Sequence, residues 1–186
     1  VMAGYQEWYK YWNSSSGSLK GLIDESINVP GSATEMLSIG GSADDRSTRS
    51  WFGRINYDYK GRYLFEANIR YDGNSRYGKD FRWGTFPSFS AGWRLSEESF
   101  MESTRSWLDN LKIRASWGKL GNDGGDNVGN YEYQSVYGIT DYSFGGKQVA
   151  GLAMTGLANR ALGWETSNNL GFGIDFAALG NRLTAT

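Results

Sequence analysis

The chain has 186 residues, and its 19 Lys+Arg against 20 Asp+Glu leave a formal net charge of −1. That balance gives no cationic footprint for nucleic acid and no polybasic patch for an anionic membrane surface. The absence of Cys and His excludes disulfide frameworks, the usual zinc sites, Cys or His nucleophile pairs and His general bases. Little enzyme chemistry is left, and the sequence assigns no catalytic residue, cofactor or metal ligand.

Aromatic residues are abundant, with 8 Trp, 12 Tyr and 9 Phe, and 26 Gly stand beside only 2 Pro. The length suits one domain. No basic segment followed by an apolar stretch opens the chain, so a signal peptide is expected to be absent or upstream. No window approaches 18 apolar residues, which excludes a transmembrane helix; a transmembrane strand needs only about 9 to 11 residues with one apolar face.

The opening segment VMAGYQEWY alternates partially, and the Ser/Gly-rich stretch from Lys10 to Arg49 reads as a long loop. Within it Asn13-Ser14-Ser15 matches a glycosylation triplet that is common by chance, and Asp44 and Asp45 beside Arg46 read as solvated charge.

The clearest period-2 signal follows. Trp51, Gly53, Ile55, Tyr57 and Tyr59 alternate with Arg54, Asn56 and Asp58, and after KGR the residues Tyr63, Phe65, Ala67, Ile69 and Tyr71 alternate with Glu66, Asn68, Arg70 and Asp72. Such alternation marks two half-buried strands joined by a tight turn. Placing Gly61 last in a three-residue loop Tyr59-Lys60-Gly61 predicts Asp58 opposite Arg62, Arg54 opposite Glu66, Tyr57 opposite Tyr63 and Ile55 opposite Phe65. Charge pairs then share one face and apolar pairs the other.

A loop from Gly73 to Gly84 leads to FPSFSAGWRL, where Pro87, Phe89, Ala91, Trp93 and Leu95 alternate with Ser88, Ser90, Gly92 and Arg94. The stretch 96–109 reads as a short helical connection capped by Ser96, with Glu97 and Glu98 compensating the dipole of its first turn. In LKIRASWG, Leu111, Ile113, Ala115 and Trp117 alternate with Lys112, Arg114 and Ser116. The region from Gly121 to Leu162 reads as a third long loop. Its GNDGGDNVGN run offers Asp oxygens to calcium or is an ordinary outer loop, since the spacing and closing Glu of an EF-hand are lacking; no helix follows that would make it a dinucleotide motif. Leu170, Phe172, Ile174 and Phe176 then alternate with Asn169, Gly171, Gly173 and Asp175, and after AALGNR the segment Leu183 to Thr186 begins another strand.

Seven strand segments with short and long connections in alternation define an all-β, antiparallel up-and-down sheet with long loops at one end and short turns at the other. That is the plan of a membrane barrel. A soluble carbohydrate-binding β-sandwich would also alternate, and a complete small outer-membrane barrel is a second alternative. Three features favour part of a large barrel wall. Aromatics sit toward strand ends as interfacial girdles do. Eight residues at about 3.3 Å, tilted about 40°, rise about 20 Å, close to the apolar band of a barrel. The opposite face carries many formal charges, as a watery lumen requires. On this reading Ile55, Tyr57, Tyr63, Phe65, Ile69, Tyr71, Phe89, Trp93, Ile113, Trp117, Phe172 and Ile174 face lipid, and Arg54, Glu66, Arg70, Asp72, Arg94, Lys112, Arg114 and Asp175 face the lumen. Six or seven strands leave two open edges, which lipid does not tolerate, so residues 1–186 are expected to be a partial barrel within a longer polypeptide.

The run RSWFGRINYDYKGRYLFEANIRYDGNSRYG, followed by FPSFSAGWRLSEESFM, LKIRASWGKLGN and LGWETSNNLGFGIDF, resembles the barrel of the SusC/RagA family of TonB-dependent outer-membrane transporters. The likeness spans Arg49 to Leu183; one departure is Arg160 in NRALGWE, where the family more often has Pro. The resemblance implies a 22-stranded barrel filled by its own plug domain, in the outer membrane of a Gram-negative, Bacteroidetes-like cell. It also implies energised import of oligosaccharides, peptides or similar large solutes, a SusD-like surface lipoprotein that lids the barrel, and the TonB complex acting through an N-terminal part. The lumen-facing charges would then contact plug or solute, or simply solvate the lumen and pair across strands. Trp8, Trp12, Tyr77, Phe81 and Trp83, expected to be exposed near the outer loops, could stack on sugar rings, meet the lipoprotein or pack locally.

Overall fold

The computed structural model describes residues 1–24, 26–27 and 29–186. Alternating segments pair in sequence order to give one antiparallel sheet. Its strands are β1 (Met2–Leu22), β2 (Ala33–Tyr59), β3 (Tyr63–Asn74), β4 (Trp83–Arg94), β5 (Leu108–Asn122), β8 (Glu165–Ala178) and β9 (Leu183–Ala185), in that spatial order. Two further strands, β6 (Val136–Phe144) and β7 (Lys147–Gly156), form a separate hairpin inside the β5 to β8 connection. Among the described residues β1 and β9 form the two edges, so the sheet does not close on itself as a complete small barrel would.

The turn after β2 departs from the expected register. Lys60 and Gly61 both take positive φ, 54° and 66°, which moves the loop one residue along to 60–62. Tyr59 faces Tyr63, Tyr57 faces Phe65, Ile55 faces Ala67, Asn56 faces Glu66 and Arg54 faces Asn68. Asp58 does not pair with Arg62: its Oδ1 accepts the Gly61 amide at 2.7 Å, and the Arg62 amide donates to the Tyr59 carbonyl at 3.0 Å. The displacement is two residues in the pairing, so every side chain keeps its face. Arg54 and Glu66 stay on one face as diagonal neighbours, Nε to Oε1 4.0 Å.

Two predicted loops contain strand. Most of the stretch Lys10 to Arg49 is ladder, from Lys10 opposite Arg46 to Leu22 opposite Ala33; its positions 25 and 28 lie outside the described residues. Ser, Thr and Gly occupy both faces there, so no apolar contrast betrays the period of two, and cross-strand contacts are polar, as between the Ser14 and Ser42 hydroxyls at 2.8 Å. Only Thr48 to Tyr59 of β2 pairs with β3. The remainder of the β1–β2 hairpin therefore projects past its neighbour at the long-loop end. The β6–β7 hairpin likewise occupies part of the predicted loop from Gly121 to Leu162.

The connection 96–109 is not one helix but two 3₁₀ segments, Leu95–Glu97 and Ser99–Thr104, separated by Glu98 in extended conformation (φ −77°, ψ 148°). Ser96 lies inside the first segment and caps nothing; its buried hydroxyl has no partner. An extended residue at the fourth position stops the i to i−4 ladder from starting.

Candidate functional site

The sheet is a wall with two chemically distinct faces, and its cross-strand rows show how each is built. One face carries the rows Ile55–Ala67–Phe89–Trp117–Leu170, Tyr57–Phe65–Ala91–Ala115–Phe172 and Tyr59–Tyr63–Trp93–Ile113–Ile174, with Ile69 and Tyr71 in the rows beyond. All twelve side chains expected to meet lipid thus stand together. They are not covered: Ile69 is 53% exposed, Phe65 44% and Phe172 79%. A β-sandwich would bury these side chains under a second sheet, and the described residues supply none.

Aromatic rings mark both ends of this face. At the short-turn end Tyr59 and Tyr63 have ring centroids 6.4 Å apart, and Tyr63 stacks on Trp93 at 6.4 Å. At the other end Tyr5 meets Trp51 at 4.6 Å and Tyr71 stacks on Trp83 at 4.8 Å. From Tyr63 to Tyr71 along β3 a tilted strand rises about 20 Å. Apolar residues fill the interval between two aromatic rows, the layout of a bilayer band with interfacial girdles.

The other face holds all eight charged residues named from the sequence. Its rows run Arg54–Asn68–Ser88–Gly118–Asn169, Asn56–Glu66–Ser90–Ser116–Gly171 and Asp58–Leu64–Gly92–Arg114–Gly173, with Arg94–Lys112–Asp175 at the short-turn end and Arg70 and Asp72 toward the long loops. Arg54 Nε donates to Asn68 Oδ1 at 2.5 Å, and Asn68 Nδ2 donates to Glu66 at 2.8 Å. Lys112 and Arg114 share Asp175 at 3.2 and 3.1 Å, and Arg70 pairs with Asp72 at 3.1 Å. Between the two charged groups Ser90, Gly92, Ser116 and Gly171 leave a low floor, with Leu64 beside Gly92. It opens a cavity of about 580 Å³ flanked by Asp58, Glu66, Lys112 and Arg114. A paired, solvated, concave surface of this kind can accept water or a polar protein segment.

Glu98 has a role the dipole argument missed. Its Oε1 accepts from the Tyr63 hydroxyl at 2.7 Å and from Trp93 Nε1 at 3.0 Å, and Arg62 approaches Oε2 at 3.5 Å. The carboxylate pins the 3₁₀ connection to the girdle of the short-turn end. Those donors hold its pKa below the usual glutamate value, the Tyr63 hydrogen bond contributing most.

A buried cluster at the long-loop end was invisible to periodicity. Tyr77, expected to be exposed, is 1% exposed and packs edge-on to Trp164 at 5.5 Å, with Phe86 against the same indole at 5.2 Å. Asn74, Arg76 and Asn130 are buried beside it. Asp123, in the run considered for calcium, accepts instead from Arg46 and, at 2.8 Å, from Asn74 Nδ2. Trp8, Trp12, Phe81 and Trp83 are exposed, although Arg46 lies 5.9 Å over the Trp8 ring. Only the density of Asn, Asp and Arg in YDGNSRYGKDFR hinted at such a cluster, and that composition equally describes a solvated loop.

A transmembrane β-barrel wall is the class this sheet defines, and sequence comparison agrees. The family model for "TonB dependent receptor-like, beta-barrel" matches residues 3–186. The chain belongs to this family. It is 38% identical over 179 residues to TonB-dependent receptor P39 of Formosa agariphila, covering 96% of this chain and 16% of that protein. It is also 38% identical over 140 residues to TonB-dependent receptor SusC of Bacteroides thetaiotaomicron, covering 73% of this chain and 14% of that protein. A chain of the RagAB peptide importer superposes with a TM-score of 0.82 at 23% identity over 98% of this chain and 20% of its own length. The chain therefore spans less than a fifth of the length of these curated relatives.

Proposed function

We propose that this chain is a segment of the barrel wall of a SusC-type TonB-dependent importer in the outer membrane of a Gram-negative bacterium. The face bearing Ile55, Phe65, Ile69, Phe89, Ile113 and Phe172 meets hydrocarbon. The face bearing Arg54, Glu66, Arg70, Asp72, Arg94, Lys112, Arg114 and Asp175 meets lumen water and the plug domain of the whole protein. That whole protein takes up an oligosaccharide, peptide or similar large solute, receives it from a SusD-like lipoprotein and draws energy through TonB. The kinship with SusC and the likeness to the RagAB peptide importer support this reading. The single observation that carries it is an uncovered single-layer sheet with girdled apolar side chains on one face and paired charges on the other.

Adjacent positions on β3 test the assignment, because Ile69 and Asn68 lie at nearly the same depth on opposite faces of the sheet. In the full-length protein assembled in its membrane, Ile69→Arg is expected to cost roughly 1 to 3 kcal/mol of folding stability, since the position lies between the Tyr71 girdle and the bilayer midplane, and Asn68→Arg far less. Heat-modifiable gel mobility and denaturant titration in bilayers read both. Equal losses at the two positions would reject a lipid-facing role for the apolar side.

A further inference from the structure

The buried cluster at the long-loop end draws together segments that are far apart in sequence. Asp123 Oδ2 accepts from Arg46 on β2 and from Asn74 Nδ2 at the end of β3. Arg76, in the connection after β3, donates through Nε to Asn130 Oδ1 at 3.0 Å and through a terminal nitrogen to the Gly125 carbonyl. Ser75 and Ser47 exchange two hydrogen bonds, at 2.9 and 3.0 Å, and the Tyr131 hydroxyl donates to Asp45. Asn74 and Arg76 are 0% and 5% exposed.

The same loop is pinned again farther along. The Asn159 amide donates to the Glu132 carbonyl at 2.8 Å, which closes a neck, and Trp164 Nε1 donates to the Arg82 carbonyl at 3.0 Å. Beyond that neck stand β6 and β7, whose ladder among the described residues joins them only to each other.

Asn74, Arg76 and Asn130 are buried and the Arg46–Asp123 pair is half-buried, and polar groups in such a shared network become costly when one partner leaves, because those that remain are desolvated and lose a hydrogen bond. Opening the 123–130 segment takes partners from Arg46, Asn74 and Arg76 together, and opening the 74–77 segment strands Asn130 and leaves Asp123 Oδ2 with Arg46 alone. We infer that the network is a latch: the base of the β1–β2 projection, the 74–82 connection and the 123–134 segment open and close as one cooperative body, and β6–β7 moves independently on the Glu132–Asn159 neck. A mouth built this way changes shape by moving a single hairpin rather than by independent loops. The inference rests on contacts within the chain and does not depend on what the whole protein transports.

Amide hydrogen exchange on the full-length protein in detergent micelles tests it. In the native protein, amides of residues 46–48, 74–77 and 123–130 are expected to exchange at a common slow rate, at least about tenfold below amides of 136–156. Unequal rates among the three segments, or rates matching those of the hairpin, overturn the latch. Asp123→Ala is expected to accelerate all three segments together by about tenfold and to leave β3 amides at 64–70 unchanged. Acceleration confined to 123–130 overturns it as well. Because the native measurement needs no variant, the latch stays testable if Asp123→Ala fails to assemble.

Discussion

The apolar band of the wall and its long-loop end are built on opposite rules. In the band, β2 to β5 and β8 carry side chains whose face follows from parity alone: in each strand one parity carries most of the apolar side chains and the other most of the polar ones, and few side chains are buried. At the long-loop end Tyr77, Asn74, Arg76 and Asn130 are buried by contacts between segments distant in sequence, and charge lies inside rather than outside. The first region is ordered by backbone ladders between neighbouring strands. The second makes a small core of its own. Substitutions in the two regions should therefore fail in different ways.

Removing Tyr77 gives the largest effect. Tyr77→Ala leaves Trp164 and the network beside it unsupported and is expected to cost the long-loop end about 3 to 5 kcal/mol, as large-to-small changes at buried aromatics do. Exchange of the 74–82 and 123–134 amides reads the loss, while amides of the band keep native protection. If band and mouth lose protection together, the two regions are one cooperative unit and the contrast drawn above fails.

Phe172→Arg probes the band at a side chain that touches little protein, one row inside the Tyr63–Trp93 girdle, and a loss of roughly 1 to 3 kcal/mol is expected in bilayers. Measured in detergent, where Arg is easily accommodated, the same substitution should be nearly silent. A penalty of equal size in both media would point to a protein contact rather than to lipid.

Glu98 links the band to its short-turn connection, and its contribution depends on pH. Its folded-state pKa lies below the ordinary value because Tyr63, Trp93 and Arg62 favour the carboxylate. The stabilisation is therefore fully present above the unfolded glutamate value of about 4.3 and is lost as pH falls through the lower folded-state value. The advantage of the native protein over Glu98→Gln is expected to shrink between pH 6 and pH 3. An advantage constant across that range would mean that the carboxylate charge plays no part.

Arg54→Ala should have the smallest effect. Its partners Asn68 and Glu66 are on an open polar face, where such pairs are worth about 0.2 to 1 kcal/mol. A loss above about 2 kcal/mol would show that Arg54 is held in a buried contact within the assembled barrel.

The same contrast explains what was legible in the sequence. Tyr63 to Tyr71 announces its strand and its faces because each neighbour differs in polarity. An error of one residue in placing the Lys60-Gly61 turn changed the partners of Asp58 and Arg62 and left the faces intact. Ser14 to Ser18 and Gly40 to Ser42 also form a ladder and announce nothing, because both faces carry small, polar residues. The burial of Tyr77 and the partners of Asp123 are illegible for a third reason: the long-loop end is set by the meeting of β2, the β3–β4 connection and the β5–β8 connection, and no local pattern encodes a meeting. Ser96 and Glu98 show the same limit on a smaller scale, since one extended residue decides which of them acts.

The central claim is that the two sides of β3 meet hydrocarbon and water respectively. Spin labels placed singly at positions 65 to 70 of the full-length protein in lipid bilayers test it through collision with oxygen and with a water-soluble nickel complex. The account predicts strict alternation, with 65, 67 and 69 accessible to oxygen and 66, 68 and 70 accessible to nickel. Uniform accessibility, or alternation of the opposite phase, would contradict it.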